Sequence, residues 1–575
     1  MPRDRRPYII LPLAALIAVL PLILRGCSCG HDFDFHVINW LEAARQLTHG
    51  TLHPHWAFTP AWNAGEPRFV FYPPLSWLIG ALLGLLMPWT WTPVAYTWLA
   101  LTAAGLGLFH AARSFATPNA ALLAAAIYIV NPYTLYTAYE RSAYAELLAA
   151  AWIPLILNAI LSDQVTIPRI AIPVALLWLT NAPAAVMSCY ALALLTIVRL
   201  LLPHKTTTTP NRVRLALNSA AGTALGLGLA AIYILPAAYE RRYVQIAFAI
   251  LPSLSPQQNF LFHHTSDHEQ DAVLHTASIV AVLLIALTTL ALLLAFKSAK
   301  NSELTSDPST PSSDRDGAAD ARLRWASRAS ATAPAQLILP LAILTLIIAF
   351  LLTPLSAPVW THLPQFRFLQ FPWRLTAILA ATFALAFSLA LSRLSLNSTR
   401  TTSISLLVAL VLSFLAYDAF HQRCYPEDTV QARVAVFRST NPGSEPTDEY
   451  TPTVADNDSL DDLNPGYWLA TSPKTAAPNH ATPGPAPHHI DLNPTTPQIL
   501  ILNLRDYPAW HITLNGAPIT TRLHRDDGLI AVSLPAGPAH LELTYATLPD
   551  QRLGYLISAL SAVALIVLLR NHRTA

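Results

Sequence analysis

The sequence predicts an α-helical polytopic membrane protein of about twelve transmembrane helices with a small extracytoplasmic β-sandwich. Of its 575 residues, 53% are apolar and only 12% charged, about half the charged share of an ordinary soluble domain. Several apolar runs reach the ~17–25 residues that cross hydrocarbon as a helix. A third observation is a late block in which apolar and polar residues alternate at period two, the signature of half-buried strands. This composition excludes a disordered chain, a collagen-like fibre and a simple cytosolic enzyme. The net charge of +2 gives no basis for a nucleic-acid partner. Cys27, Cys29, Cys189 and Cys424 are too few and too scattered for a disulfide scaffold or a zinc module, and they are assigned no metal role.

The first element is the apolar run Tyr8–Leu24, preceded by Arg3, Arg5 and Arg6. Leu24-Arg25-Gly26-Cys27 superficially resembles a lipoprotein cleavage site. Arg25 stands where a small residue belongs, so the run reads as an uncleaved signal anchor running from inside to outside. The remaining spans are 92–111, 119–134, 145–162, 169–181, 183–202, 214–237, 273–296, 336–354, 374–391, 402–419 and 553–570. Both termini are then cytoplasmic. The apolar stretch Pro73–Met87 is short, opens on Pro-Pro and ends near Trp89 and Trp91, so it reads as a helix lying on the outer surface. Placing it there leaves more than twice as many Lys and Arg in the inner segments as in the outer loops before residue 420, as the positive-inside rule asks.

The expected organisation is a transmembrane domain over 1–419, an extracytoplasmic β-rich domain over 420–552, and a last span with a cytoplasmic tail over 553–575. Within the first, residues 25–91 form the first outer loop with its juxtamembrane helix. The inner loop 298–335 is Ser/Asp/Ala-rich without periodicity and reads as a disordered linker. In the β-rich block a Pro-rich stretch at 473–487 precedes the alternating runs Ile499–Leu504, Trp510–Leu514, Leu529–Leu534 and His540–Tyr545. Asn515-Gly516 after the second of these is a strong hairpin turn.

The first outer loop opens His31-Asp32-Phe33-Asp34-Phe35-His36. In an extended segment Asp32 and Asp34 point to one side and the phenylalanines to the other. Two such carboxylates can take a proton from an acceptor hydroxyl or bind a divalent cation. The plainer reading is a helix start with Asp34 as its cap. Further on come Arg141 and Glu146, the second entering the next span, where a carboxylate needs a partner or an aqueous cavity. An ion pair with Arg141 is the plainer alternative. Asn181 stands in the break Thr180-Asn181-Ala182-Pro183, and a non-helical turn near membrane depth must be buried or line a cavity.

Arg241, Arg242, Arg367 and Arg374 face outward against the charge rule. Planar guanidinium groups beside aromatic rings suit a phosphate or pyrophosphate. Ordinary snorkelling beside Trp360 and Trp373 is the alternative. The pairs His263-His264 and His488-His489 diverge as neighbours and make no histidine metal site.

Taken in order, these stretches resemble a family: Asp32-x-x-Phe35-His36, Gly50-x-x-x-Pro54-x-Trp56, Gly65-x-Pro67-x-Phe69-x-Phe71-Tyr72-Pro73-Pro74, Arg141-x-x-x-x-Glu146, Asn181-x-Pro183, Phe366-Arg367-Phe368, Phe371-Pro372-Trp373-Arg374, Asp448-Glu449-Tyr450 and Tyr507-Pro508-x-Trp510. The chain resembles the bacterial membrane family named 6-pyruvoyl-tetrahydropterin synthase-related, itself similar to GT-C glycosyltransferases and YfhO-type membrane proteins. The pterin label implies no activity, because that chemistry needs a soluble fold with a three-histidine zinc site. The GT-C resemblance implies a GT-C-like fold in the bacterial cytoplasmic membrane and transfer of a sugar from a polyprenyl-phosphate donor to an envelope glycan or lipid acceptor, outside the cytoplasm. It places the catalytic carboxylate at Asp32, with Asp34 second. His36, Arg141, Glu146, Asn181, Arg242, Arg367 and Arg374 are the expected substrate-binding set. No cofactor is assigned; a divalent cation at Asp32 and Asp34 is compatible with the resemblance. The chain lacks the W-W-D signature of acceptor-sequon recognition. Two other classes remain: a flippase or carrier of lipid-linked glycan, and a non-catalytic membrane protein whose β-domain binds envelope glycan.

Overall fold

A computed structural model describes residues 4–202, 209–250, 252–265, 267–305, 337–392, 394–478 and 482–574. The protein is a bundle of apolar helices with two small β-sheets at one end, called here the sheet side. Helix α1 (Pro7–Arg25) starts on a proline, which needs no N–H partner, and stops at Gly26, whose φ of 110° ends the helical path. After it come α2 (Phe33–Thr48), α3 (Arg68–Phe71) and α4 (Pro74–Leu86). Then α5 (Thr92–Ala112), α6 (Pro118–Ile129), α7 (Pro132–Tyr139), α8 (Tyr144–Ala149) and α9 (Ile153–Leu161) follow, each opened or broken at a proline or a short turn. The rest of the bundle is α10 (Ile167–Thr180), α11 (Ala182–Leu201), α12 (Thr209–Leu229), α13 (Ala231–Glu240), α14 (His268–Thr305) and α15 (Leu337–Leu351). Helices α16 (Ala357–His362), α17 (Thr376–Leu391), α18 (Ser398–Phe420), α19 (Val430–Phe437) and α20 (Pro549–Thr574) complete it.

Among the described residues nine helical stretches are long and apolar enough to cross a membrane. The number rises to eleven when two bent pairs each count as one span: Arg212–Leu229 with Ala231–Tyr243, bent by 75°, and Leu337–Leu351 with Pro354–His362, bent by 93°. The expected span 169–181 corresponds to α10, which has only 14 residues. Helix α4 is shorter still at 13 residues and seats on α2, where Gly80 lies so close to the Trp40 indole that a Cβ would come within 2.3 Å of it. The linker expected from residue 298 starts later, because α14 continues to Thr305. The remainder of that expected linker, 306–335, lies outside the described residues.

The sheets are antiparallel. One has the order β1-β3-β6 and the other β2-β7-β4-β5, formed by β1 (Tyr467–Ala470), β2 (His489–Leu492), β3 (Gln498–Arg505), β4 (Trp510–Leu514), β5 (Ala517–Pro518), β6 (Leu529–Leu534) and β7 (Ala539–Tyr545). Asn515 (φ 51°) and Gly516 (φ 79°) make the β4–β5 turn with two positive φ angles, as the Asn-Gly pair requires. Strands β1, β2 and β5 were not anticipated, being short and, for the first two, flanking the Pro-rich stretch. Leu500, Leu502, Ile512, Val532 and Leu543 are buried in a shared core, and Trp56 from the segment after α2 is buried among them. Its ring meets Trp510 edge-on with centroids 5.8 Å apart.

A disulfide joins Cys29 and Cys424, which are 395 residues apart in sequence. One bond is no disulfide scaffold, yet it joins two of the cysteines that the sequence leaves scattered: α1 and α18 pack side by side and bring their ends together. Cys27 and Cys189 are free thiols.

Candidate active-site cavity

The segment ahead of α2 is fastened along the turn between α7 and α8. Ser28 Oγ donates to Tyr139 O at 2.7 Å, Gly30 N donates to Ser142 Oγ at 3.1 Å, and Asp32 N donates to Arg141 O at 2.9 Å. Gly30 is required for so close a run, since a Cβ there would lie 2.3 Å from Glu140 O. The fastening sets the Asp32 carboxylate beside the Arg141 guanidinium, Oδ2 to Nη2 at 3.4 Å.

Arg141 in turn donates from Nη1 to Glu146 Oε2 at 2.5 Å, and the Tyr133 hydroxyl donates to Glu146 Oε1 at 2.5 Å. Arg374 approaches the same carboxylate oxygen, Nε to Oε2 at 3.9 Å. Its Nη1 donates to Leu369 O at 3.0 Å and to Gln370 Oε1 at 3.3 Å, while its Nε has no hydrogen-bond partner among the described residues. Both guanidinium groups lie over rings, Arg141 over Trp373 and Arg374 over Phe371, each at 4.9 Å. Asp32 is the exposed member of the group: 42% of its side chain is accessible, against 5% for Glu146.

Asp32, Arg141, Glu146, Gln370 and Arg374 line one cavity of about 600 Å³. His36, Tyr72, Asn181, Arg241 and Glu449 line it too. His36 is buried, and burial lowers its pKa to about 4, so its ring is neutral. Burial raises the Tyr72 hydroxyl well above the usual phenol range and raises the Glu449 carboxyl as well. Asn181 caps α11, its Oδ1 accepting from Ala184 N at 2.8 Å. Three residues at or beside the cavity, Ser142, Gln365 and Gln370, hold positive φ angles of 49°, 65° and 62°. Non-glycine residues adopt these only where the surroundings enforce them.

Of the residues anticipated from sequence, Asp32, His36, Arg141, Glu146, Asn181 and Arg374 meet here. Asp34, Arg242 and Arg367 do not. The extended reading of His31–His36 fails because Phe33 already starts a helix, and two residues along a helix is a turn of about 200°. Asp34 therefore faces away and is bonded by Arg433, Nε to Oδ1 at 2.9 Å and Nη2 to Oδ2. Divergent carboxylates do not make the cation pair that the extended form offers. Among the described residues no three His, Cys, Asp or Glu side chains gather as metal ligands. Arg242 lies over the Tyr239 ring at 3.5 Å, and its neighbour Arg241 takes the cavity position. Arg367 is exposed and lies over Phe368 at 5.0 Å.

Tyr133, Gln370 and Glu449 were missed as site residues. Glu449 had a signal, the Asp448-Glu449-Tyr450 motif; Tyr133 sits one helical face from Glu146 only once the α7–α8 turn is formed. A second buried pair holds Thr447, another residue of the cavity lining, in place: Arg68 Nε donates to Glu66 Oε1 at 2.6 Å, Arg68 Nη2 to Thr447 Oγ1 at 2.8 Å, and Thr447 N to Glu66 Oε2 at 2.9 Å.

No protein-family model and no curated protein matches the chain. Among solved structures it is similar to the arabinofuranosyltransferase AftD from Mycobacteria, at 18% identity over 72% of this chain and 27% of that one, with a TM-score of 0.41. A second, mutant AftD structure aligns at 16% identity over 95% of this chain and 42% of that one, with a TM-score of 0.44. The oligosaccharyltransferase of Archaeoglobus fulgidus aligns at 15% identity over 74% of this chain and 56% of that one, with a TM-score of 0.38. The chain thus spans between about a quarter and two fifths of the length of the AftD chains. All three are distant likenesses.

Proposed function

We propose that the chain is an integral-membrane glycosyltransferase of GT-C type, moving a sugar from a polyprenyl-phosphate donor to a cell-envelope glycan or lipid on the extracytoplasmic face of the bacterial cytoplasmic membrane. One juxtaposition carries this reading: an accessible carboxylate, Asp32, shares a cavity with two buried guanidinium groups that have a single carboxylate, Glu146, between them. The reading takes nothing from the pterin-derived family name.

In the reaction, the Asp32 carboxylate accepts the proton of the acceptor hydroxyl. The oxygen bonds to the anomeric carbon of the sugar as the bond from that carbon to the carrier phosphate breaks. The departing phosphate keeps the electron pair, and its charge is met by the Arg374 guanidinium, with Arg141 and Arg241 in the same cavity lining. Glu146 acts as a positioning residue. It is already engaged by Tyr133 and Arg141, and it holds the two arginines at one wall.

The test is mass spectrometry of envelope glycolipids from a deletion strain complemented with wild type or Asp32→Asn, together with transfer in membrane vesicles. Asp32→Asn should insert normally and lose transfer by roughly 10²–10⁴-fold. Full activity in this variant overturns the role of Asp32, and Glu449 is then the next carboxylate to replace. Unchanged glycolipid masses with altered sidedness would favour a carrier instead.

A further inference from the structure

A second cavity, of about 520 Å³, lies where the sheet-side ends of α1, α5 and α18 converge. Phe33 lines it, whereas Asp32, Phe35 and His36 line the first cavity, so the opening turn of α2 stands between the two. Part of its lining is apolar: Leu22 and Ile23 of α1, Val94 of α5 and Trp91, which is half exposed. The lining also holds Arg25, Arg423 and His421, together with both cysteines of the Cys29–Cys424 disulfide. Among the described residues no Asp or Glu lines it.

Arg25 is bonded by Asp418 at 2.5 Å and lies over Phe414 and Tyr417. Asp418 stands outside the cavity, so Arg25 keeps a face toward it. Arg423 has no carboxylate partner among the described residues and lies 5.7 Å from the Tyr425 ring. A cavity at the end of a helix bundle that combines guanidinium groups with apolar side chains suits a lipid: a phosphate against the arginines, a chain against Leu22, Ile23 and Trp91.

We propose that this second cavity binds the phosphate head and the start of one acyl chain of an anionic membrane phospholipid. The site is independent of any chemistry at the first cavity. Arg25 and Arg423 supply charge-assisted hydrogen bonds to the phosphate oxygens. The exposed Trp91 closes the apolar side at the interface. Such a lipid would sit against Phe33, one residue from Asp32 in the chain.

The experiment uses the full-length protein in mild detergent, titrated with phosphatidylglycerol, phosphatidylcholine or inorganic phosphate and read by native mass spectrometry. One phosphatidylglycerol should be retained in preference to phosphatidylcholine. The double variant R25Q/R423Q should bind it roughly 5-fold more weakly for each arginine removed, while R438Q, a charge loss outside the cavity, should match wild type. Thr90→Trp, which fills the cavity from its exposed rim with both arginines intact, should also lose the lipid and serves if the double variant does not fold. Equal retention in R25Q/R423Q or in Thr90→Trp, equal retention of phosphatidylcholine, or a parallel loss in R438Q overturns the proposal. Displacement of the lipid by millimolar inorganic phosphate overturns it in favour of a free-phosphate site.

Discussion

Arg141 and Glu146 form a buried ion pair, Nη1 to Oε2 at 2.5 Å, with their side chains only 6% and 5% accessible. Removing one partner of such a pair leaves an uncompensated buried charge, a cost of about 3–5 kcal/mol. Glu146→Ala should therefore destabilise the protein by about that amount, and Arg374 loses its nearest counter-charge as well. Thermal unfolding in detergent measures it; a loss below about 1 kcal/mol would mean that solvent reaches the pair.

Gly30→Ala tests how Asp32 is aimed. The added methyl meets Glu140 O, so the segment 28–32 must move off the α7–α8 turn. A displacement of about 1 Å at a reacting group costs on the order of 10²-fold in rate. The expected result is lost transfer with the disulfide still formed, read by vesicle assay and by thiol labelling of Cys29 and Cys424.

His36 makes stability pH-dependent in a defined direction. The folded state holds the ring neutral with a pKa near 4, against ~6.5 when unfolded. Above about pH 6.5 neither state is charged and the contribution is complete. Between about pH 6.5 and 4 the unfolded chain binds a proton that the folded chain refuses, so stability falls on acidification by roughly 2–3 kcal/mol. Asp32 opposes this shift and Arg141 adds to it, while the Tyr72 hydroxyl lies 3.5 Å from Nε2. His36→Phe should flatten this part of the pH profile relative to wild type, measured as unfolding midpoints from pH 7 to 4.

Trp56 ties the segment after α2 to the β-sandwich. Its ring lies within 5.5–6.3 Å, centroid to centroid, of Tyr507, Trp510 and Tyr545. Trp56→Ala should cost about 3–5 kcal/mol, felt as faster proteolysis within residues 467–545 than within the helices. Unchanged cleavage there would show that the sandwich stands without this contact.

The helices were legible because an apolar run of membrane length has few other uses, and β4 with its turn because Asn-Gly between alternating runs has one common geometry. The site was legible only in part. Asp-Phe-Asp-Phe fits a strand at period two, yet Phe33, His36, Val37 and Trp40 recur at helical spacing and are buried together, so tertiary burial decides for the helix. The partner that removes Asp34 from the cavity, Arg433, lies 399 residues away, and no local pattern encodes such a meeting. Arg241 and Arg242 are adjacent in a short 3-10 turn. Which of them faces the cavity depends on the angle at which α13 ends.

The Cys29–Cys424 bond also dictates an order of events during biosynthesis. Cys29 is made 395 residues ahead of its partner, on the order of 20–80 s at ~5–20 residues per second. Throughout that interval the early thiol must stay reduced, two positions from Cys27, a rival partner for the late one. The covalent closure of the sheet side therefore waits until the helix ending at Phe420 has been threaded, so a truncated chain released before that point would carry an unpaired cysteine by which quality-control machinery can recognise it.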